Sequence, residues 1–165
     1  MNKSHFGSTV FFVVLISFYF GCSQEDVVLE TSAPGEVSAF DEKLAEELGA
    51  DNYGMKTWVL ALLKAGPNRD YDRETALEIQ RGHMANINRL ADEGKLILAG
   101  PFLTSGELRG IFLFDVETVE EARELTETDP AIQAGSLVME LHPWYGSAAL
   151  LKVPEIHKRI AAEQP

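Results

Sequence analysis

Few side chains in this sequence stand where they could do chemistry. His83 lies in "RGHMANINRLADEG", among the apolar positions of an amphipathic helix. An imidazole there is either a general acid or base or a core residue that bonds a backbone carbonyl, because any buried imidazole needs a partner for its N–H. Asp129 precedes Pro130 and suits the N-cap of the short turn "PAIQAG". His142 stands at the end of "SLVMELHPW", on the mixed face of a strand, where it lines a pocket or simply meets solvent. His83, His142 and Glu140 lack the H-x-H or H-E-x-x-H spacing of a metal site, so no metal is expected. Neither G-x-S-x-G, nor a P-loop, nor a dinucleotide fingerprint occurs, and no cofactor is expected. Arg69 in "GPNRDYD" belongs to a loop that could gate a ligand or be a solvated turn. An anionic substrate would require Arg69 or Arg109 beside the pocket. Gly100, before Pro101, serves a strand exit and leaves room for a ligand near His83.

The elements that must position these groups follow from hydrophobic period and turn signals. "MKTWVLALLKAG" is a continuous apolar run closed by Gly66-Pro67-Asn68, a strand buried on both faces. "DRETALEIQRGHMANINRLADEG" is a helix, capped by Asp72, with Glu74 suited to its dipole and Gly94 as its stop. At about 100° per residue, Ala76, Leu77, Met84, Ile87, Leu90 and Ala91 share one stripe, and His83 lies within it. Gly82 costs a helix interior about 1 kcal/mol, so its presence points to something close against the backbone beside His83. "KLILAGPF" and "LRGIFLFDV" form a hairpin across "TSGE". Thr118 and Glu121 make a capping box for the helix "TVEEARELTET", which ends before Asp129-Pro130. "SLVMELHPW" alternates as a fourth strand.

The order β-α-β-β-α-β is the split unit of an α+β, ferredoxin-like fold: a four-stranded antiparallel sheet with two helices on one face. Strands apolar at both parities (Val59 with Leu60, Phe112 with Leu113) require a cover for the other face. A second copy of the chain is the expected cover, giving a homodimer with sheets face to face.

Four segments are expected. Residues 1–22 carry Lys3, the apolar run Val10–Phe20 and then Gly21-Cys22. That run is shorter than the roughly 20 residues a spanning helix needs, and reads as a secretory leader. The small residue before the chain's one cysteine resembles a bacterial lipoprotein signal, which implies acylation of Cys22, although Tyr19 stands where Leu is usual. By resemblance to the sorting rules of envelope bacteria, Ser23 rather than Asp after the cysteine implies the outer membrane among the envelope locations. Residues 23–52 form an acidic tether with a short helix, nine acidic residues against Lys43 between Gln24 and Asp51. Residues 53–146 form the domain, and 147–165 a C-terminal extension. The whole chain carries a formal charge of −12. Loss of the leader removes Lys3 and no acid, leaving 13 basic against 26 acidic residues, or −13. Such a surface repels phosphate backbones, so nucleic acid is excluded as a partner and the membrane is reached through the lipid alone.

"GHMANINRLADEGKLILAGPF", "GIFLFDV", "VEEARELTETDP" and "ELHPW" resemble, in order and spacing, the YciI-like (YCII-related) family of the dimeric α+β barrel superfamily, over about residues 53–146. The resemblance implies a dimeric small-molecule enzyme or binder. A dehydrochlorinase of chlorinated hydroxyquinol breakdown is among the members, and muconolactone isomerase among the superfamily neighbours. It further implies that His83 and Asp129 form the active-site pair, Asp129 fixing the tautomer of His83 and leaving the other ring nitrogen free for proton transfer. Two functions are open on this basis: a cofactor-free envelope enzyme of isomerase or lyase type acting by proton transfer on a small molecule, or a tethered, non-catalytic ligand-binding or structural dimer.

Overall fold

The computed structural model describes residues 39–163. Four strands, β1 (Met55–Ala65), β2 (Leu96–Pro101), β3 (Leu108–Phe114) and β4 (Leu137–Ser147), form one sheet in the order β2-β3-β1-β4 with all neighbours antiparallel. Between them run α2 (Arg73–Asp92), α3 (Val119–Thr126) and a single turn, α4 (Pro130–Gln133). A short α1 (Glu42–Glu47) precedes the sheet, and a 3-10 helix (Ala148–Lys152) followed by α5 (Val153–Ile160) ends the chain. This is the expected ferredoxin-like α+β arrangement. Phe40–Pro165 make one compact unit.

Local sequence chemistry sets the element ends. The Asp72 carboxylate accepts the Thr75 N–H at 3.0 Å to open α2, and Gly94 takes φ +72° just beyond it, a conformation costly for any residue with a Cβ. Thr118 accepts from Glu121 N to open α3. The reciprocal half of the box differs from expectation: Glu121 reaches the Glu117 N–H, at 3.4 Å, and its other oxygen pairs with Lys95 at 2.8 Å. The long-range ion pair outcompetes ideal box geometry.

The main core lies between the sheet and its helices. Val59, Ala61, Leu63, Phe112, Phe114 and Leu96 point from the strands toward Leu90 and Ala122, with Ile87 and Leu125 packed alongside. A bulge in β2 moves the register between Leu96 and Leu98, so that Ile97 and Leu98 both serve the opposite face while Leu96 serves the core. The inward stripe of α2 differs from the apolar one. Leu77 is 52% exposed and Ala76 and Ala91 are also exposed, whereas His83, Asn86 and Leu90 are buried. The helix is rotated toward α4, which covers the Gly82–Asn86 side, and a neighbour that short left no trace in the apolar period.

The opposite face takes cover from this chain itself. Trp58, Ile97 and Leu113 are buried there, with Leu150 and Leu151 of the 3-10 helix packed against them. The C-terminal extension thus supplies a partial third layer that the residue pattern of the domain alone did not suggest. Toward the β4 edge the cover stops: Val138 is 47% and Trp144 38% exposed, with Leu62 half-buried between them in register.

Candidate functional site

His83 and Asp129, 46 residues apart in sequence, meet between α2 and α4: Nδ1 of the imidazole lies 2.7 Å from Oδ2 of the carboxylate. Asp129 is completely buried, and its Oδ1 accepts the Ala131 N–H at 2.8 Å. One carboxylate therefore caps α4 and holds the imidazole at the same time. With Oδ2 as acceptor, Nδ1 carries the proton, which leaves Nε2 as the basic nitrogen. Phe112 of β3 stacks on the ring, centroids 5.9 Å apart and planes 16° apart, fixing its orientation. Nε2 has no hydrogen-bond partner among the described residues and is not among the fully buried polar atoms, so it faces accessible space.

What lets the two elements meet is Gly82. A Cβ built there would stand 2.8 Å from Cγ and 3.1 Å from Cβ of Pro130, closer than ordinary contact. Proline at the first position of α4 therefore nests against bare helix backbone, and the residue before it arrives at hydrogen-bond distance from His83.

The space in front of His83 is a cavity of about 520 Å³, in the range that accepts a small organic molecule. Ile79, Met84, Ile87, Leu63, Phe112 and Leu137 supply apolar wall. Arg69, Arg109, Tyr71, Gln80 and Ser136 supply the polar groups. The loop holding Arg69 and Tyr71 is fastened to the α4–β4 turn: Asn68 Nδ2 and the Tyr71 hydroxyl donate to Ala134 O, and Asn68 N donates to Gly135 O. Arg69 Nη1 reaches Ser136 O at 3.4 Å. Arg109 enters through a second bulge. The β1–β3 register runs from Leu63 opposite Gly110 to Lys64 opposite Leu108, so Arg109 is the extra residue, freed from strict alternation. Both arginines thus stand at the cavity, the condition an anionic substrate imposes.

The other expected pocket residues divide. Gly100 does line the cavity, and a Cβ added there would meet no atom within 4 Å. His142 does not line it. It pairs in register with Leu60, on the sheet face turned away from α2, and its Nε2 bonds Glu140 at 2.8 Å. Strand parity puts it there, so of its two expected places the structure gives solvent and corrects the pocket role. Glu140 is engaged as well, held below the usual carboxylate range by Lys64 first and His142 second. No cluster of three metal-ligating side chains occurs among the described residues. Tyr71, Gln80 and Phe112 escaped the sequence reading, since an ordinary loop tyrosine, a helix-surface glutamine and a core phenylalanine carry no local signal of a site. Cys22 lies outside the described residues.

Comparison with known proteins matches residues 57–145 to the YCII-related domain. The chain belongs to the YCII-related family. Among relatives, this YCII-related chain is 32% identical over 63 residues to the uncharacterized protein YjpA of Bacillus subtilis, covering 38% of this chain and 72% of that protein. It is also 32% identical over 111 residues to HPr kinase/phosphorylase of Clostridium tetani, 63% of this chain, and spans only 35% of that relative's length. Among solved structures, 5-chloro-2-hydroxyhydroquinone dehydrochlorinase (TftG) from Burkholderia phenoliruptrix AC1100, in complex with 2,5-dihydroxybenzoquinone, is 18% identical. That match has a TM-score of 0.40 and covers 52% of this chain and 92% of that one.

Proposed function

We propose that this YCII-related protein is a cofactor-independent acid–base enzyme, of isomerase or lyase type, acting on a small molecule in the cavity before His83. The observation that carries this reading is the buried Asp129 carboxylate 2.7 Å from His83 Nδ1, with the opposite ring nitrogen facing the cavity. In that arrangement Nε2 takes a proton from an acidic C–H or O–H of the bound molecule. The imidazolium formed is stabilised by Asp129 and returns the proton to another atom of the same molecule or to a departing group. Family membership supports the reading without naming a substrate.

Exchange of hydrogen for deuterium tests it directly. A panel of enolisable ketones, lactones and hydroxyquinols in deuterium oxide, followed by proton NMR, should show exchange accelerated by the protein for at least one compound. That exchange should vanish in His83→Asn. Exchange unchanged by His83→Asn, or none above background for compounds that demonstrably occupy the cavity, returns the protein to the non-catalytic binding alternative.

Three further parts of the proposal concern assembly and place. The strip of Leu62, Val138 and Trp144 supports a homodimer through the far face. "YFGC" supports acylation of Cys22 and attachment to the cell envelope, with the outer membrane favoured. The chain divides into leader 1–22, tether 23–52, domain 53–146 and extension 147–165.

A further inference from the structure

The charge of the cavity wall runs against the charge of the chain. The protein carries 26 acidic residues against 14 basic ones, yet among the described residues no Asp or Glu lines the cavity, while Arg69 and Arg109 do. The Asp129 carboxylate is sealed behind His83 and spent on two hydrogen bonds. Arg109 is the more telling of the two arginines. Its Nε is buried with no hydrogen-bond partner, and its guanidinium makes no ion pair or hydrogen bond among the described residues. A buried, unanswered N–H of a permanently charged group is costly, and proteins keep few such groups unless a ligand completes them. The bulge that lifts Arg109 out of strand alternation, and Gly110 beside it, which has no room for a Cβ against Gly100 O at 2.7 Å, make this placement a feature of the backbone itself.

We propose that the cavity recognises a small organic carboxylate, whose acid group is taken by the Arg109 fork with Arg69 at the rim and whose apolar body lies along Met84, Ile87 and Phe112, within reach of His83. The two Nη groups of Arg109, unpaired and not fully buried, present parallel N–H donors in the spacing of the two carboxylate oxygens, and a low-dielectric wall strengthens the pair. The apolar lining favours a compact hydrocarbon body over a sugar or a polyphosphate. Turnover of the bound carboxylate rests on the acid–base reading, whereas its recognition stands on the arginines alone.

The test uses the full chain labelled with 15N in arginine, titrated with benzoate and, separately, with benzamide, which has the same shape and no charge. Benzoate should move the Arg109 Nε–H resonance saturably and bind at least tenfold more tightly than benzamide. Arg109→Gln should weaken benzoate tenfold or more and benzamide by a clearly smaller factor. Arg109→Lys, which keeps the charge and loses the fork, should fall between them. Arg69→Gln should weaken benzoate by a smaller factor and serves where the Arg109 variants fail to fold. Equal affinity for the two probes, or an unmoved Arg109 resonance at saturation, overturns the proposal. The titration reads binding alone and needs no turnover, so a failure of recognition and a failure of proton transfer are read separately.

Discussion

Replacing Gly82 by alanine tests the central geometry without touching either member of the pair. In an ordinary helix interior this change stabilises by about 1 kcal/mol, because alanine loses less backbone entropy. Here the new Cβ would stand 2.8 Å from Pro130 Cγ, and ordinary contact begins at 3.4 Å, so α4 must recede by about 0.6 Å at the least. A proline ring cannot swing aside. Carried to the adjacent Asp129, that displacement stretches the 2.7 Å bond to His83 toward about 3.3 Å, beyond the favoured range for a charged acceptor. Overpacking of this kind costs about 1–3 kcal/mol, so the net effect should be a loss of roughly 0–2 kcal/mol where propensity alone gives a gain of about 1. For a domain of this size the two outcomes are separated by several degrees in Tm. Chemical denaturation gives the sign, and the 15N spectrum of the His83 ring reports whether Nδ1 still carries its bonded proton. Pro130→Ala in the same background removes Cγ and should recover part of both losses, a coupling visible in a double-mutant cycle. A variant that is more stable than wild type with an unaltered His83 spectrum would refute the claim that Gly82 is the seat of α4.

Asp129→Asn should keep the α4 cap through its amide oxygen but present an NH₂ to His83, forcing Nδ1 to accept and moving the ring proton to Nε2. Stability should change by no more than about 1–2 kcal/mol while proton transfer is lost, and the ring 15N shifts should show the exchanged tautomer. Sedimentation of the unacylated protein at micromolar concentration should give a dimer, and Val138→Lys, on the uncovered strip, should shift it toward monomer; a wild-type monomer ends the face-to-face reading. Cys22→Ser should move the protein from the membrane to the soluble fraction, and an unprocessed, membrane-bound variant would contradict acylation. Asp51 is held below the usual carboxylate range, first by the Tyr145 hydroxyl and then by the Met55 N–H. A depressed carboxyl stabilises the fold above its unfolded pKa, and that contribution is lost as pH falls below about 4 toward the folded value. The acid limb of unfolding should therefore be shallower in Asp51→Asn than in wild type.

Element type and order were legible in the chain because they depend on neighbours in sequence. Asp72, Gly94, Thr118 and Asp129 act within a turn of their own position, and each stands where its residue type predicted. The same locality explains two failures. His142 was left between a pocket and solvent from its strand-end position, and its pairing with Leu60 on the far face decides for solvent. The stripe on α2 was read from Leu77 and Ala91, but a helix buries whatever side its neighbours cover, and α4 covers Gly82, His83 and Asn86.

Family and fold were thus determined by the sequence, through period, capping residues and motif order, each a property of short stretches of chain. The sequence also determined that His83 would face inward and that Asp129 could hold two bonds. Only the tertiary structure decided that Pro130 nests on Gly82, that a bulge brings Arg109 to the wall of the cavity, and that Leu150 and Leu151 close over Trp58. Those outcomes hinge on close contacts and strand register between elements distant in sequence. Such contacts are settled by excluded volume and register, which no single segment encodes.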